Sequence, residues 1–140
     1  MFFSKWIAAT NVTIVPGTED VTFRNFGTLE GGSPSISGEN VAFIASSSEG
    51  GGIYAHIGGS LRVIADTNTP VPGQPGETFW NFAQLSGTSP SISGENVVFA
   101  TSCGIYASIN GELRRIADML TQRYREAAEE ARRLESGGQR

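Results

Sequence analysis

The chain has 140 residues, the length of one ordinary domain with a core of its own. Its 14 acidic and 10 basic side chains leave a formal charge of −4, which argues against a basic nucleic-acid surface. One cysteine excludes an internal disulfide framework and a cysteine-rich zinc site, and no apolar run reaches the roughly 20 residues of a membrane-spanning helix.

From the N-terminus, Met1–Ala9 carries one Lys and a short apolar stretch, and no apolar core of signal-peptide length follows, so no export signal is read there. The dominant feature begins at Ser33. Ser33-Pro34-Ser35-Ile36-Ser37-Gly38-Glu39-Asn40-Val41 recurs unchanged as Ser89–Val97, at a spacing of 56. Phe23-x-x-Phe26 recurs as Phe79-x-x-Phe82 at the same spacing. Gly52-Ile53-Tyr54-Ala55 recurs as Gly104–Ala107 at a spacing of 52, and Leu61–Asp66 recurs as Leu113–Asp118. The four residues lost between the copies come out of Ser46–Gly51, which predicts a surface hairpin loop there, with Gly50-Gly51-Gly52 as a flexible tip. A partial copy stands in front: Phe3–Asn11 lines up with Ser60–Asn68. The repeat region is therefore 1–118, made of a partial unit 1–11, a unit 33–66 and a unit 89–118, followed by a distinct segment 119–140.

Each unit reads as four short strands. The first lies near Ser35–Ser37. Val41–Ala45 and Val97–Ala100 are apolar on both faces, the pattern of a strand covered on both sides. Ile53–Ile57 alternates, with Ile53, Ala55 and Ile57 on one side and Tyr54 and His56 on the other. Gly58-Gly59 and Asn110-Gly111 supply hairpin turns that need positive φ, and Leu61–Ala65 and Leu113–Ala117 close the units. Thr67–Thr78, with Pro70, Pro72 and Pro75, reads as an extended connection. From Met119 the chain turns rich in Arg, Glu, Ala and Leu. Leu113, Ala117, Leu120, Tyr124, Ala127, Ala131 and Leu134 recur in alternating steps of four and three, which predicts a C-terminal helix that either packs on a sheet flank or joins chains.

The predicted fold class is all-β: two four-stranded meander sheets plus a C-terminal α-helix. The unit itself, Pro-Ser-x-Ser-Gly, then Val-x-Phe, then Ile-Tyr, then Gly-x-Leu-x-x-Ile-Ala, resembles the blades of TolB-like β-propellers across Ser33–Asp66 and Ser89–Asp118. The stretch Ile64–Gly73 is similar to that of long bacterial proteins carrying many such units. The resemblance implies β-propeller-like blades and carries no activity of its own, because propellers host lectins, enzymes and scaffolds alike.

The sequence holds no G-x-S-x-G elbow, P-loop or G-x-G-x-x-G, so no catalytic residue and no cofactor is expected. His56 is matched by Ser108 in the second unit and reads as an ordinary strand residue. Asp66-x-Asn68 has the oxygen spacing of a calcium loop, and an Asx turn explains it at least as well, so no metal site is assigned. Cys103 reads as an exposed thiol at a hairpin tip. Phe23, Phe26, Phe79 and Phe82 repeat and read as core. Trp80 matches Arg24, escapes that argument and is the leading candidate for ligand contact, followed by Tyr54 and Tyr106.

Two blades do not close a propeller, which takes roughly four to eight. The expected partner is therefore the chain itself, as a homo-oligomer of three or four copies giving six or eight blades; the other reading is a stretch of a longer repeat array. Three functional classes follow: a non-catalytic self-assembling module with a structural or interaction role, a glycan- or small-molecule-binding protein, and, last, an enzyme. No nucleic-acid or membrane partner is expected.

Overall fold

A computed structural model describes residues 6–27, 32–80, 82, 89–101, 104–118 and 130–134. Among these described residues nine strands follow in chain order: β1 (Phe23–Phe26), β2 (Ser35–Ser37), β3 (Asn40–Ser47), β4 (Gly50–Ile57), β5 (Ser60–Asp66), β6 (Ser91–Ser93), β7 (Asn96–Thr101), β8 (Gly104–Ile109) and β9 (Glu112–Asp118). They form two antiparallel meander sheets. The first runs β1-β3-β4-β5 with β2 also on β3, and the second runs β6-β7-β8-β9. The fold is thus all-β, with two blade-like sheets, and residues 130–134 form a short exposed helical stretch. The rest of the expected helix over 119–140 lies outside the described residues, as does Cys103. Leu113 and Ala117, counted above in the helical stripe, belong to β9.

The turns follow the chemistry of their residues. Gly58 and Gly59 have φ of 60° and 86°, and Asn110 and Gly111 have 52° and 80°. These are the left-handed values that a tight hairpin with a type I′ turn requires. Asn40 Oδ1 accepts the Gly58 N–H at 3.2 Å, and Asn96 Oδ1 accepts the Asn110 N–H at 3.0 Å, so one amide per unit pins each turn to the neighbouring hairpin.

Two expectations change. The Ser46–Gly51 segment is not a loop. β3 and β4 stay paired out to Ser47↔Gly50, and Gly51 and Gly52 are buried within β4. The first unit is longer because each strand of this hairpin gains two residues. A step of two per strand preserves which face every side chain occupies, so a ladder tolerates it. The connection Thr67–Thr78 is not extended either. It folds back on itself, with a Pro70↔Thr78 bridge and Val71 N–H donating to the Glu77 carbonyl at 2.9 Å. The same turn occurs 56 residues earlier: Ile14 bridges Thr22, and Val15 N–H donates to the Val21 carbonyl at 2.8 Å. The front partial copy therefore continues past Asn11 as far as Phe23. Val15-Pro16-Gly17 against Val71-Pro72-Gly73, and Thr22-Phe23 against Thr78-Phe79, carry that signal in the sequence.

Each sheet has a leading and a trailing face. In the first sheet Phe43 and Tyr54 point to the leading face, whereas Ala42, Ile44, Ile53, Ala55 and Ile57 point to the trailing one. The trailing face of the first sheet packs on the leading face of the second, where Phe79, Phe82, Val97, Phe99 and Tyr106 complete one shared core. A ring cluster anchors each leading face. Phe23 meets Tyr54 edge-on at 4.9 Å and Phe79 meets Tyr106 at 4.8 Å; Phe43 stacks on Tyr54 and Phe99 on Tyr106, both at 5.9 Å. Edge-to-face pairs of this kind add about 0.5–1.5 kcal/mol beyond their buried area.

A polar seam runs beside this core. The two identical segments lie next to each other, with Ser35 Oγ accepting the Ile92 N–H at 3.3 Å and Ser37 Oγ accepting the Gly94 N–H at 2.8 Å. Asn40 Nδ2 donates to the Gly94 carbonyl at 2.8 Å, and Ser33 N–H donates to Ser89 Oγ at 2.9 Å. The repetition of the serines thus has a structural use. Side chains of one unit bond backbone groups of the next along a largely solvent-exposed edge of the contact.

Gly52 is fixed by close approach rather than by φ. A Cβ there would stand 2.9 Å from the Ala65 carbonyl oxygen, 2.9 Å from the Tyr54 hydroxyl and 3.0 Å from Asp66 Cβ. Gly52→Ala is expected to cost about 1–3 kcal/mol through overpacking, whereas Ser48→Ala at the exposed turn should stay within about 0.5 kcal/mol. Urea unfolding of both variants measures this. A Gly52→Ala chain as stable as the wild type would show that the β4–β5 contact is not tight.

Candidate functional site

Among the described residues no group of three or more His, Cys, Asp or Glu side chains converges in a way that could hold a metal. Asp66 and Asn68 form an Asx turn: Asp66 Oδ1 accepts the Asn68 N–H at 2.9 Å and the Thr69 hydroxyl at 3.0 Å, while Thr69 Oγ accepts the Asp66 N–H at 2.9 Å. The turn uses the carboxylate to close the end of β5 and start the folded connection. His56 is half-buried on β4, with its Nδ1 enclosed and no hydrogen-bond partner.

The three aromatic candidates for ligand contact do not form one surface. Tyr54 and Tyr106 are buried, each in the ring cluster of its own unit, and their ring faces are taken up by phenylalanines. Trp80 stands at the start of the second unit and is 56% exposed. Of the three, Trp80 offers a ring that a ligand can reach without opening the core.

A different pair of surfaces emerges when equivalent residues are compared. On the second unit's leading face Phe82 is 1% exposed, under the first sheet; its counterpart Phe26 is 40% exposed. Ile92 is 7% exposed at the seam and its counterpart Ile36 is 70% exposed. The trailing faces show the reverse. Ala42 and Ile53 of the first sheet are fully buried, whereas their counterparts Val98 and Ile105 are 39% and 44% exposed. The chain thus has an open leading face at one end and an open trailing face at the other, each built from residues that its other unit buries.

The leading face of the first unit is covered in part. Ile7 and Ala8, the counterparts of Ile64 and Ala65, pack against its cluster from outside, as Ile64 and Ala65 pack on the second unit. Beside them remains an open apolar pocket of about 390 Å³, lined among others by Ile7, Ala8, Phe26, Pro34, Val41 and Phe43. Sequence comparison of the two copies marks every residue concerned. It does not show which copies lack a neighbour, and so it missed the site.

Comparison with family models, with curated proteins and with solved structures returned no match for this chain.

Burial pushes the Tyr54 hydroxyl up from 10.0 to about 12, with the nearby Asp66 carboxylate adding to the shift. An unfolded chain ionises this tyrosine near its ordinary value while the folded chain still holds the proton. Stability from this group is therefore complete below about pH 10 and falls as pH rises toward 12, by on the order of 2 kcal/mol. The wild type should lose urea resistance over that interval more steeply than Tyr54→Phe, whose ring cannot ionise. Parallel losses in the two proteins would show that the hydroxyl is not shielded.

Proposed function

We propose that the chain is a non-catalytic, self-assembling β-propeller-like repeat module with a structural or interaction role. One observation carries this reading: residues at equivalent repeat positions are buried where two units meet and exposed at the two ends of the chain. Phe82 against Phe26 at one end, and Ile53 against Ile105 at the other, measure the deficit. Contiguous apolar patches beyond a few hundred Å² are rare on soluble monomers. A contact that joins the two ends covers both patches at once, and such a heterologous contact closes into a ring when the rotation per unit allows it. Three copies give six blades and four give eight, within the range of roughly four to eight over which propellers close. The resemblance to TolB-like blades supports the same reading.

Size exclusion with light scattering tests it. The expected mass is about three or four times the 14.8 kDa of one chain. A monomer that stays at the single-chain mass as concentration rises, and unfolds cooperatively, overturns self-assembly.

A second reading rests on Trp80. Its exposed ring suits stacking on a sugar face or a small planar ligand. A glycan array probed with wild type and Trp80→Ala is expected to give binding by the wild type alone. Silence from both proteins removes this reading and leaves the first untouched.

A further inference from the structure

We infer that the open leading face of the first unit is a docking site for a second copy of this chain, which enters by the trailing face of its second sheet in the register of the internal repeat and displaces residues 6–8. The inference rests on the self-assembly reading and specifies its contact. The template lies inside the chain. The polar seam between the first sheet and the second is built from nine-residue segments whose sequence is the same in both units, Ser33–Val41 and Ser89–Val97. A second copy that repeats this step places its second sheet on the first sheet here, as the first sheet lies on the second.

The register gives partners to the polar side chains that correspond to Ser35, Ser37 and Asn40. Ser35 Oγ and Ser37 Oγ accept the Ile92 and Gly94 N–H groups within the chain. In the contact between copies, Ser91 Oγ and Ser93 Oγ of the incoming copy accept the N–H groups of Ile36 and Gly38. Asn40 Nδ2 donates to the Gly94 carbonyl; correspondingly, Asn96 Nδ2 of the incoming copy donates to the Gly38 carbonyl. Asn96, Ser91, Ser93 and Gly38 are all exposed. The apolar part follows the same rule: Val98 and Ile105 of the incoming copy take the places of Ala42 and Ile53, over Phe26 and the open pocket.

One segment stands in the way. Ile116 and Ala117 of an incoming β9 correspond to Ile64 and Ala65, and on this face that position is held by Ile7 and Ala8. Residues 6–9 belong to no strand. Among the described residues the first backbone anchors behind them are Ala9 N–H donating to Thr13 Oγ at 2.8 Å and Asn11 N–H donating to the Phe23 carbonyl at 2.8 Å. The segment ahead of Ala9 can therefore swing away while the folded turn behind it stays in place. It acts as a built-in competitor, and the apparent affinity between copies falls by the fraction of chains in which it is seated.

The test uses variants blocked at one end each, Ile36→Glu and Ile105→Glu, both at exposed positions, with circular dichroism to confirm the fold. Sedimentation velocity is expected to show assemblies for the wild type and monomers for each variant alone. An equimolar mixture should give a dimer of one copy each and nothing larger, because the free end of one variant meets the free end of the other. A wild type that assembles while the mixture stays monomeric, or while either variant still assembles alone, overturns this contact and leaves self-assembly standing. A wild type that is monomeric throughout overturns self-assembly and this contact together. A chain lacking residues 2–8 should associate at least about tenfold more tightly; unchanged or weaker association overturns the competitor.

Discussion

The structure depends on covering a sheet that is apolar on both faces. Ala42, Ile44 and Ile53 on one side and Phe43 and Tyr54 on the other leave neither face of the first sheet fit for water. Burial at about 25 cal/mol per Å² of apolar surface rewards any arrangement that sets a second layer on each side. The second sheet supplies one layer, and the segment from Ile7 to Val21 supplies part of the other. The folded connections serve the same end: Val15 and Val71 are buried, one in each cluster, so the chain between units is also part of the core.

Ring geometry and the serine seam divide the work of specifying the stack. The aromatic clusters fill the volume between layers and match from unit to unit, with Phe–Tyr separations of 4.9 and 4.8 Å. Hydrophobic burial by itself is not directional and would tolerate sliding. The seam prevents sliding, since Ser35, Ser37 and Asn40 each have one backbone partner in the next unit. A slip would break those bonds, at about 0.5–1.5 kcal/mol for each net bond lost. The register between layers is therefore set by hydrogen bonds and the strength of their contact by aromatic and aliphatic burial.

Gly52, Tyr54 and Asp66 form a second local dependency. The Tyr54 hydroxyl lies over Gly52, where a side chain would collide, and near Asp66, whose carboxylate holds the turn into the connection. The Gly-Ile-Tyr pattern of the repeat is thus a packing rule: the tyrosine needs a neighbour without a Cβ two residues earlier, on the same face of the strand.

Much of this was legible in the sequence because it is local or periodic. Alternation along Ile53–Ile57, apolar runs at Val41–Ala45, the hairpin glycines and the 56-residue spacing fix strands, turns and the number of units, since each follows from backbone preferences or from the two-residue period of a strand. Other features required the tertiary structure. Ser46–Gly51 looked like a loop because a length difference does, yet a two-residue extension of both strands keeps every side chain on its face. Thr67–Thr78 looked extended because of its prolines, yet its hydrogen bonds close it into a turn that buries Val71. Tyr54 and Tyr106 looked available because they alternate with apolar residues, yet Phe23 and Phe43 enclose the first and Phe79 and Phe99 the second, rings brought together from different strands. The candidate site depends on which units have neighbours. Two copies of one sequence cannot reveal that, because identical residues become core or surface according to what is stacked against them.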